Sequence, residues 1–101
     1  MPIKVVLQNI DGTRRIDSVV DAEGGLNRCL PIDDSAFPLL QYIDSYGDTV
    51  FNGNQMPQII DELERLMRLP SKEPCRELLE KVRSLAIRCQ GAGLYLRFNG
   101  D

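Results

Sequence analysis

The chain contains no histidine in its 101 residues. Histidine is the usual general base near neutral pH and the commonest metal ligand, so Ser-His-Asp and Cys-His catalytic sites are excluded. The cysteines form no Cys-x-x-Cys pair, which disfavours a structural zinc site. We therefore expect a protein that binds a partner, without enzymatic activity, cofactor or metal.

Cysteine is scarce, and its number, three, is odd. An odd count argues against a closed disulfide framework. Cys75 and Cys89 fall in one predicted helix, where they would lie about 21 Å apart, too far for a disulfide. Both are predicted to be small buried apolar residues.

Long apolar runs are also missing. None approaches the roughly 18 residues that a membrane-spanning helix needs. The N-terminal residues 1–8 have too short an apolar run for a signal peptide and lack a small-residue cleavage site. These features predict a cytoplasmic protein without a membrane partner.

The composition is that of an ordinary globular domain, with 43% apolar and 27% charged residues. At this length we expect one domain over residues 1–101. Alternating apolar residues predict a first strand over 3–7 and a second over about 13–20, joined by an Asp11-Gly12 turn. A last strand, 94–98, should pair with this hairpin.

Two amphipathic helices are predicted before the last strand. The first begins near 54–57 and exposes Asp61–Arg65 and Glu64–Arg68 pairs. The second begins at about Ser71 and ends at a C-cap glycine, Gly91. Their apolar stripes are Met56, Ile59, Ile60, Leu63, Leu66 and Met67, and Cys75, Leu78, Leu79, Val82, Leu85, Ala86 and Cys89.

The middle of the chain has little periodicity. Residues 28–32 could form a short edge strand, since proline is tolerated there. Residues 35–43 fit a helical turn or a strand, and 44–48 reads as a turn. The order of these strands and helices along the chain predicts an α+β fold. A small, mainly antiparallel sheet would consist of the N-terminal hairpin and the C-terminal strand, and a two-helix hairpin would cover one of its faces.

Basic residues are absent between Arg28 and Arg65. Residues 1–64 carry a net charge of −7, and residues 65–101 carry +4. We interpret the irregular segment between the hairpin and the helices as a negative surface that steers a cationic partner and disfavours DNA or RNA. The alternative is ordinary turn and helix chemistry, without any partner. The acids in the gap are Asp33, Asp34, Asp44, Asp48, Asp61, Glu62 and Glu64.

Aromatic and apolar residues alternate with these acids, as in interfaces that combine buried anchors with a charged rim. Packing beneath the loop is the alternative for most of them, with Tyr42 and Tyr46 expected to be exposed. The apolar set is Phe37, Leu39, Leu40, Tyr42, Tyr46 and Phe51. The residues predicted to contact a partner are Asp33, Asp34, Tyr42, Asp44, Tyr46 and Asp48.

Residues 37–40, 43–52, 55–56 and 94–101 resemble small bacterial immunity proteins of polymorphic toxin systems. The resemblance implies a cytoplasmic inhibitor that protects its producer by binding a cognate protein toxin. A regulatory or scaffold module that self-associates through its helical hairpin, as a homodimer, is the alternative. A carboxylate-dependent metal enzyme, using the paired aspartates for magnesium, is the third hypothesis.

Overall fold

The computed structural model describes residues 3–9, 11–20, 25–90 and 93–100. Within these ranges the chain forms four strands, three α-helices and three short 3₁₀ turns. The elements are β1 (Lys4–Asn9), β2 (Arg15–Val20), α1 (Gly25–Cys29), β3 (Asp48–Asn52), α2 (Met56–Met67), α3 (Arg76–Arg88) and β4 (Leu94–Asn99). The 3₁₀ turns are Leu40–Tyr42, Gly53–Gln55 and Pro70–Cys75.

The strands form one antiparallel sheet in the order β2-β1-β4-β3. β1 is central and pairs with β2 on one side and with β4 on the other. Gly12 has φ +73°, which is the conformation that the predicted hairpin turn requires. The α+β fold, with a hairpin joined by the C-terminal strand, is confirmed.

The core lies between one face of the sheet and the helices. Val5 and Leu7 of β1 and Phe98 of β4 are buried there with the apolar stripes of α2 and α3. Burying a leucine or isoleucine side chain contributes about 1.5–3 kcal/mol, so the two stripes supply much of the stability.

The predicted Gly91 C-cap lies outside the described residues. Among the described helices, none is long and apolar enough to cross a membrane.

Two local predictions in the middle of the chain need correction. The region 28–32 is not an edge strand, because 25–29 forms α1 and buries Leu26 and Cys29 on one helical face. Conversely, β3 was not predicted. It is only five residues long and buries Phe51 alone, so it leaves no alternating pattern to detect.

The cysteine prediction is wrong for one of its two residues. Cys75 is not a free apolar residue, because its Sγ is bonded to Sγ of Cys29, 46 positions away in the sequence. This disulfide joins α1 to the 3₁₀ turn before α3. Cys89 is a free, buried thiol as expected, and its burial raises the pKa of that thiol to about 11.

Candidate functional site

The predicted partner surface centres on a depression of about 380 Å³, lined by residues 32–33 and 41–46. We call it the acidic hollow. Four of the six predicted contact residues line it, namely Asp33, Tyr42, Asp44 and Tyr46. Asp34 is exposed beside Asp33, whereas Asp48 belongs to β3.

A buried carboxylate holds one wall of the hollow in place. Glu62 of α2 is fully buried, and its Oε1 accepts hydrogen bonds from the amides of Leu39 (3.1 Å) and Leu40 (3.0 Å). Gln58 donates to its other oxygen at 2.8 Å. Buried amides need acceptors, so Glu62 fixes the segment that leads into Tyr42. Glu62 is one of the acids between Arg28 and Arg65 from which a negative surface is predicted. For Glu62 that prediction is wrong, because its side chain is buried.

The opposite wall is the turn 44–47. Oδ1 of Asp44 accepts a hydrogen bond from the amide of Tyr46 (2.8 Å), which is typical of an Asx turn. The amide of Asp44 donates to Oγ1 of Thr49 at 3.0 Å. The amide of Gly100 donates to the carbonyl of Gly47 at 2.7 Å. The turn is therefore fastened to β3 and to the end of β4.

Replacing Gly100 with alanine is expected to displace this turn. A Cβ at that position would overlap the carbonyl of Asp44 and the backbone of Ser45. Such overpacking costs about 1–3 kcal/mol and should expose the Tyr46 amide to faster hydrogen exchange. Gly93→Ala is the control. A Cβ at Gly93 would meet no neighbouring atom, so this variant would introduce only the backbone strain of φ +78°. It should lower stability without altering exchange in the turn, and equal effects of both variants on Tyr46 would contradict this account.

The two tyrosines of the hollow are exposed, as predicted. Tyr42 is 71% exposed and Tyr46 is 83% exposed. Phe37 and Phe51 are buried instead, and the guanidinium of Arg65 lies 5.1 Å from the centre of the Phe37 ring. The aromatic residues thus divide between the core and a surface where tyrosine can serve as an interface anchor.

The first acidic pair lies on a constrained loop. Asp33 has φ +64°, a left-handed conformation that aspartate tolerates better than most residues, and its amide donates to the carbonyl of Gln41 at 3.0 Å. Oδ1 of Asp34 accepts from the amide of Ala36 at 3.0 Å. In the described part of the chain, neither these carboxylates nor that of Asp44 belongs to an ion pair.

Of the other acids between Arg28 and Arg65, Asp48, Asp61 and Glu64 form ion pairs, and Glu62 is held by amide hydrogen bonds. The Asp61–Arg65 pair is confirmed at 3.4 Å. Glu64 bonds to Arg83 of α3 at 2.7 Å, and the predicted Glu64–Arg68 pair does not form. This contact raises the pKa of Arg83 above its usual value. Only tertiary packing brings Glu64 and Arg83 together, so helical spacing could not predict their contact.

Asp48 is separated from the hollow. Side chains alternate along a strand, so Asp48 and Val50 lie on the face opposite to Thr49 and Phe51, away from the helices. There Oδ2 of Asp48 lies 2.6 Å from Nη2 of Arg97. The unpaired carboxylates of the candidate site are therefore the three aspartates of the two loops.

Two further depressions each contain an ion pair and more basic than acidic residues. In the one between β2 and α3, of about 440 Å³, Arg88 bonds to Asp17 at 2.6 Å and holds the pKa of that carboxyl below its usual value. The one between α2 and α3, of about 580 Å³, contains the Glu64–Arg83 pair. Across the described ranges, no cluster of three or more potential ligand side chains is placed to hold a metal ion.

No family model, curated protein or solved structure matches this chain. The geometry of the acidic hollow and of the sheet is thus the basis on which a function can be proposed.

Proposed function

We propose that this protein is a non-enzymatic immunity protein that binds and blocks a cationic, cognate bacterial toxin through the acidic hollow. One observation carries the proposal. Three carboxylates without ion-pair partners lie beside two exposed tyrosines, on loops that hydrogen bonds hold in place. The partner is a protein, and neither a nucleic acid nor a membrane is expected to bind there.

Charge and rigidity have separate roles in this proposal. Unpaired carboxylates attract a cationic partner and raise its association rate, whereas an acid already bonded to an arginine contributes little to that field. Exposed tyrosines on a fixed backbone lose little conformational entropy when they are buried by a partner. Glu62 and Gly100 restrict the two walls and so preorganise the site.

The hollow by itself is too small for a complete interface. A stable protein complex buries about 800 Å² on each partner, contributed by roughly 20–30 residues. The toxin must therefore contact neighbouring surface as well. On the helical hairpin, the large apolar side chains exposed by more than about a third are Leu69 (39%) and Ile87 (42%) in the described residues. That surface offers little to a second copy, which favours the hollow over self-association.

We place the proposed inhibitor in the cytoplasm of the producing cell. A disulfide is unusual there, because cellular thiols keep cysteines reduced. The location therefore requires that the chain keep the acidic hollow intact when the Cys29–Cys75 bond is reduced.

Neutralising two of the carboxylates tests the charge contribution to binding. In Asp33→Asn/Asp44→Asn, asparagine keeps a side-chain oxygen for the turn and tolerates positive φ, so the backbone should be unchanged. We expect about tenfold slower association with the toxin at low salt and a weaker salt dependence. Immunity proteins are normally encoded beside their toxins, so the toxin to be tested is the product of the adjacent reading frame.

The matched control is Glu73→Gln/Glu77→Gln, which removes the same charge from exposed positions near α3. It should leave association nearly unchanged, because these residues lie outside the hollow. Tyr46→Ala should instead speed dissociation, since it removes an anchor without changing charge. Equal slowing by both double variants, or an unchanged rate with both, would contradict the proposed site.

A further inference from the structure

The strand β3 is at the edge of the sheet, with β4 on one side only. The bond from the Gly100 amide to the Gly47 carbonyl continues the β3–β4 register by one residue. Hydrogen-bonded and non-hydrogen-bonded pairs alternate in an antiparallel ladder. Thr49 is thus in a hydrogen-bonded pair, whereas Asp48 and Val50 direct their amides and carbonyls away from β4.

A second contact supports the same assignment. The amide of Asn52, two residues beyond Val50, donates to Oε1 of Gln55 at 2.9 Å and therefore also points away from β4. That part of the edge is occupied by the chain's own side chain. Within the described ranges, no hydrogen bond uses the outward amides or carbonyls of Asp48 and Val50.

The two edges of the sheet differ in their protection. β2, at the other edge, has an irregular register opposite Leu7 and Gln8, and Arg88 of α3 bonds to its Asp17. Bulges and covering helices are common ways of blocking an edge. β3 has a continuous register with β4. Apolar exposure does not distinguish the two edges, because Val50 of β3 is 47% exposed and Val20 of β2 is 59% exposed.

We propose that β3 receives an extended segment of the partner as an additional strand. The segment would exchange hydrogen bonds with the outward groups of Asp48 and Val50 and pack an apolar residue against Val50. Basic residues on the segment would approach the acidic hollow, because the turn 44–47 leads directly into β3. This inference rests on the proposed function for the identity of the partner, and on the strand geometry for the mode of binding.

Charge and area favour such a segment over a second copy of this chain. A second copy has the same net charge of −3 and the same unpaired aspartates, so it offers no charge complementarity. Pairing two β3 strands would use five residues on each side, well below the roughly 20–30 of a stable interface. A cationic segment has the complementary charge, and by continuing from β3 over the hollow it contacts more of the surface than β3 alone.

A short synthetic peptide of alternating lysine and valine is the probe. Its binding to the ¹⁵N-labelled protein would be followed by NMR, together with amide hydrogen exchange. We expect slower exchange at Asp48 and Val50, and no binding by the matched peptide of alternating glutamate and valine. Methylating alternate backbone nitrogens of the lysine peptide should weaken binding by about tenfold or more, because its donors to β3 are lost.

Val50→Pro tests the protein side. Proline removes the outward amide and is tolerated on an edge strand, whereas the control Val50→Ala keeps that amide. We expect the proline variant to bind at least about tenfold more weakly than the alanine variant. If the proline variant fails to fold, the methylated peptide provides the same comparison on the unaltered protein.

Four results with the peptides or the free protein would overturn the proposal. They are no binding of the lysine peptide at millimolar concentration, binding without protection of Asp48 and Val50, equal affinity of the methylated peptide, and concentration-dependent protection of Val50 in the free protein. The last would assign the edge to a second copy. With the toxin itself, weakening by Asp33→Asn/Asp44→Asn but not by Val50→Pro would overturn strand addition alone, and the reverse would overturn the acidic hollow alone.

Discussion

Reduction of the Cys29–Cys75 disulfide is expected to lower the free energy of unfolding by about 2–4 kcal/mol. The bond closes a loop of 46 residues, so it removes much conformational freedom from the unfolded chain. It also fastens α1, which leads within a few residues into Asp33 of the acidic hollow. Urea denaturation with and without dithiothreitol measures the difference.

The double variant Cys29→Ala/Cys75→Ala provides the control for this experiment. It should be about as unstable as the reduced protein, and dithiothreitol should not change it further. Cys89→Ala should keep the full response to reductant, because Cys89 is not in the disulfide. A reduced protein as stable as the oxidised one would contradict the expectation. A reduced protein that is still folded would be compatible with the proposed cytoplasmic location.

Replacing Glu62 with alanine is expected to destabilise the protein by about 2–4 kcal/mol. The backbone amides of Leu39 and Leu40 would lose their acceptor in the protein interior, and the side-chain Nε2 of Gln58 would lose its partner. The cost should appear in chemical denaturation. Faster hydrogen exchange at Leu39 and Leu40 should identify the loosened wall of the hollow.

Asp61→Ala, one position earlier on the same helix, is the matched control. Asp61 is an exposed acid in a pair with Arg65, so its removal should cost less than about 1 kcal/mol. Glu62→Gln should have an intermediate effect, since its amide oxygen can still accept a hydrogen bond. Equal losses for Asp61→Ala and Glu62→Ala would show that Glu62 does not support the loop in the way described.

The same two variants also test how the hollow depends on its support. If Glu62 positions Tyr42, Glu62→Ala should weaken toxin binding although Glu62 itself cannot touch the partner. Asp61→Ala should leave binding unchanged. Binding that is unaffected by Glu62→Ala would mean that the 38–42 segment finds its position without the buried carboxylate.

Local patterns were sufficient to detect the long elements, although α3 begins at Arg76, after the 3₁₀ turn Pro70–Cys75, and not at about Ser71 as predicted. Apolar spacing predicted α2, α3, β1 and β4, because in each of them one face is buried over several turns or residues. The Asp11-Gly12 turn could also be predicted from the sequence, since it depends on the conformational freedom of a single glycine.

Short or non-local features could not be predicted in this way. β3 buries too few residues to show a period, and it exists because β4 offers an edge to pair with. The disulfide joins cysteines that only the docking of α1 brings together. Neither feature depends on the residues that are next to it in the sequence.

The sequence alone determined that this protein is an α+β domain with an acidic middle segment and no histidine-based chemistry. The tertiary structure decided what each acid does. Glu62 is buried against backbone amides, Asp48 is paired with Arg97, and Asp33 and Asp44 stay unpaired at the hollow. These carboxylates have the same chemistry. Their roles differ because the interactions of a carboxylate depend on its exposure to solvent and on the groups around it, which only the folded chain provides.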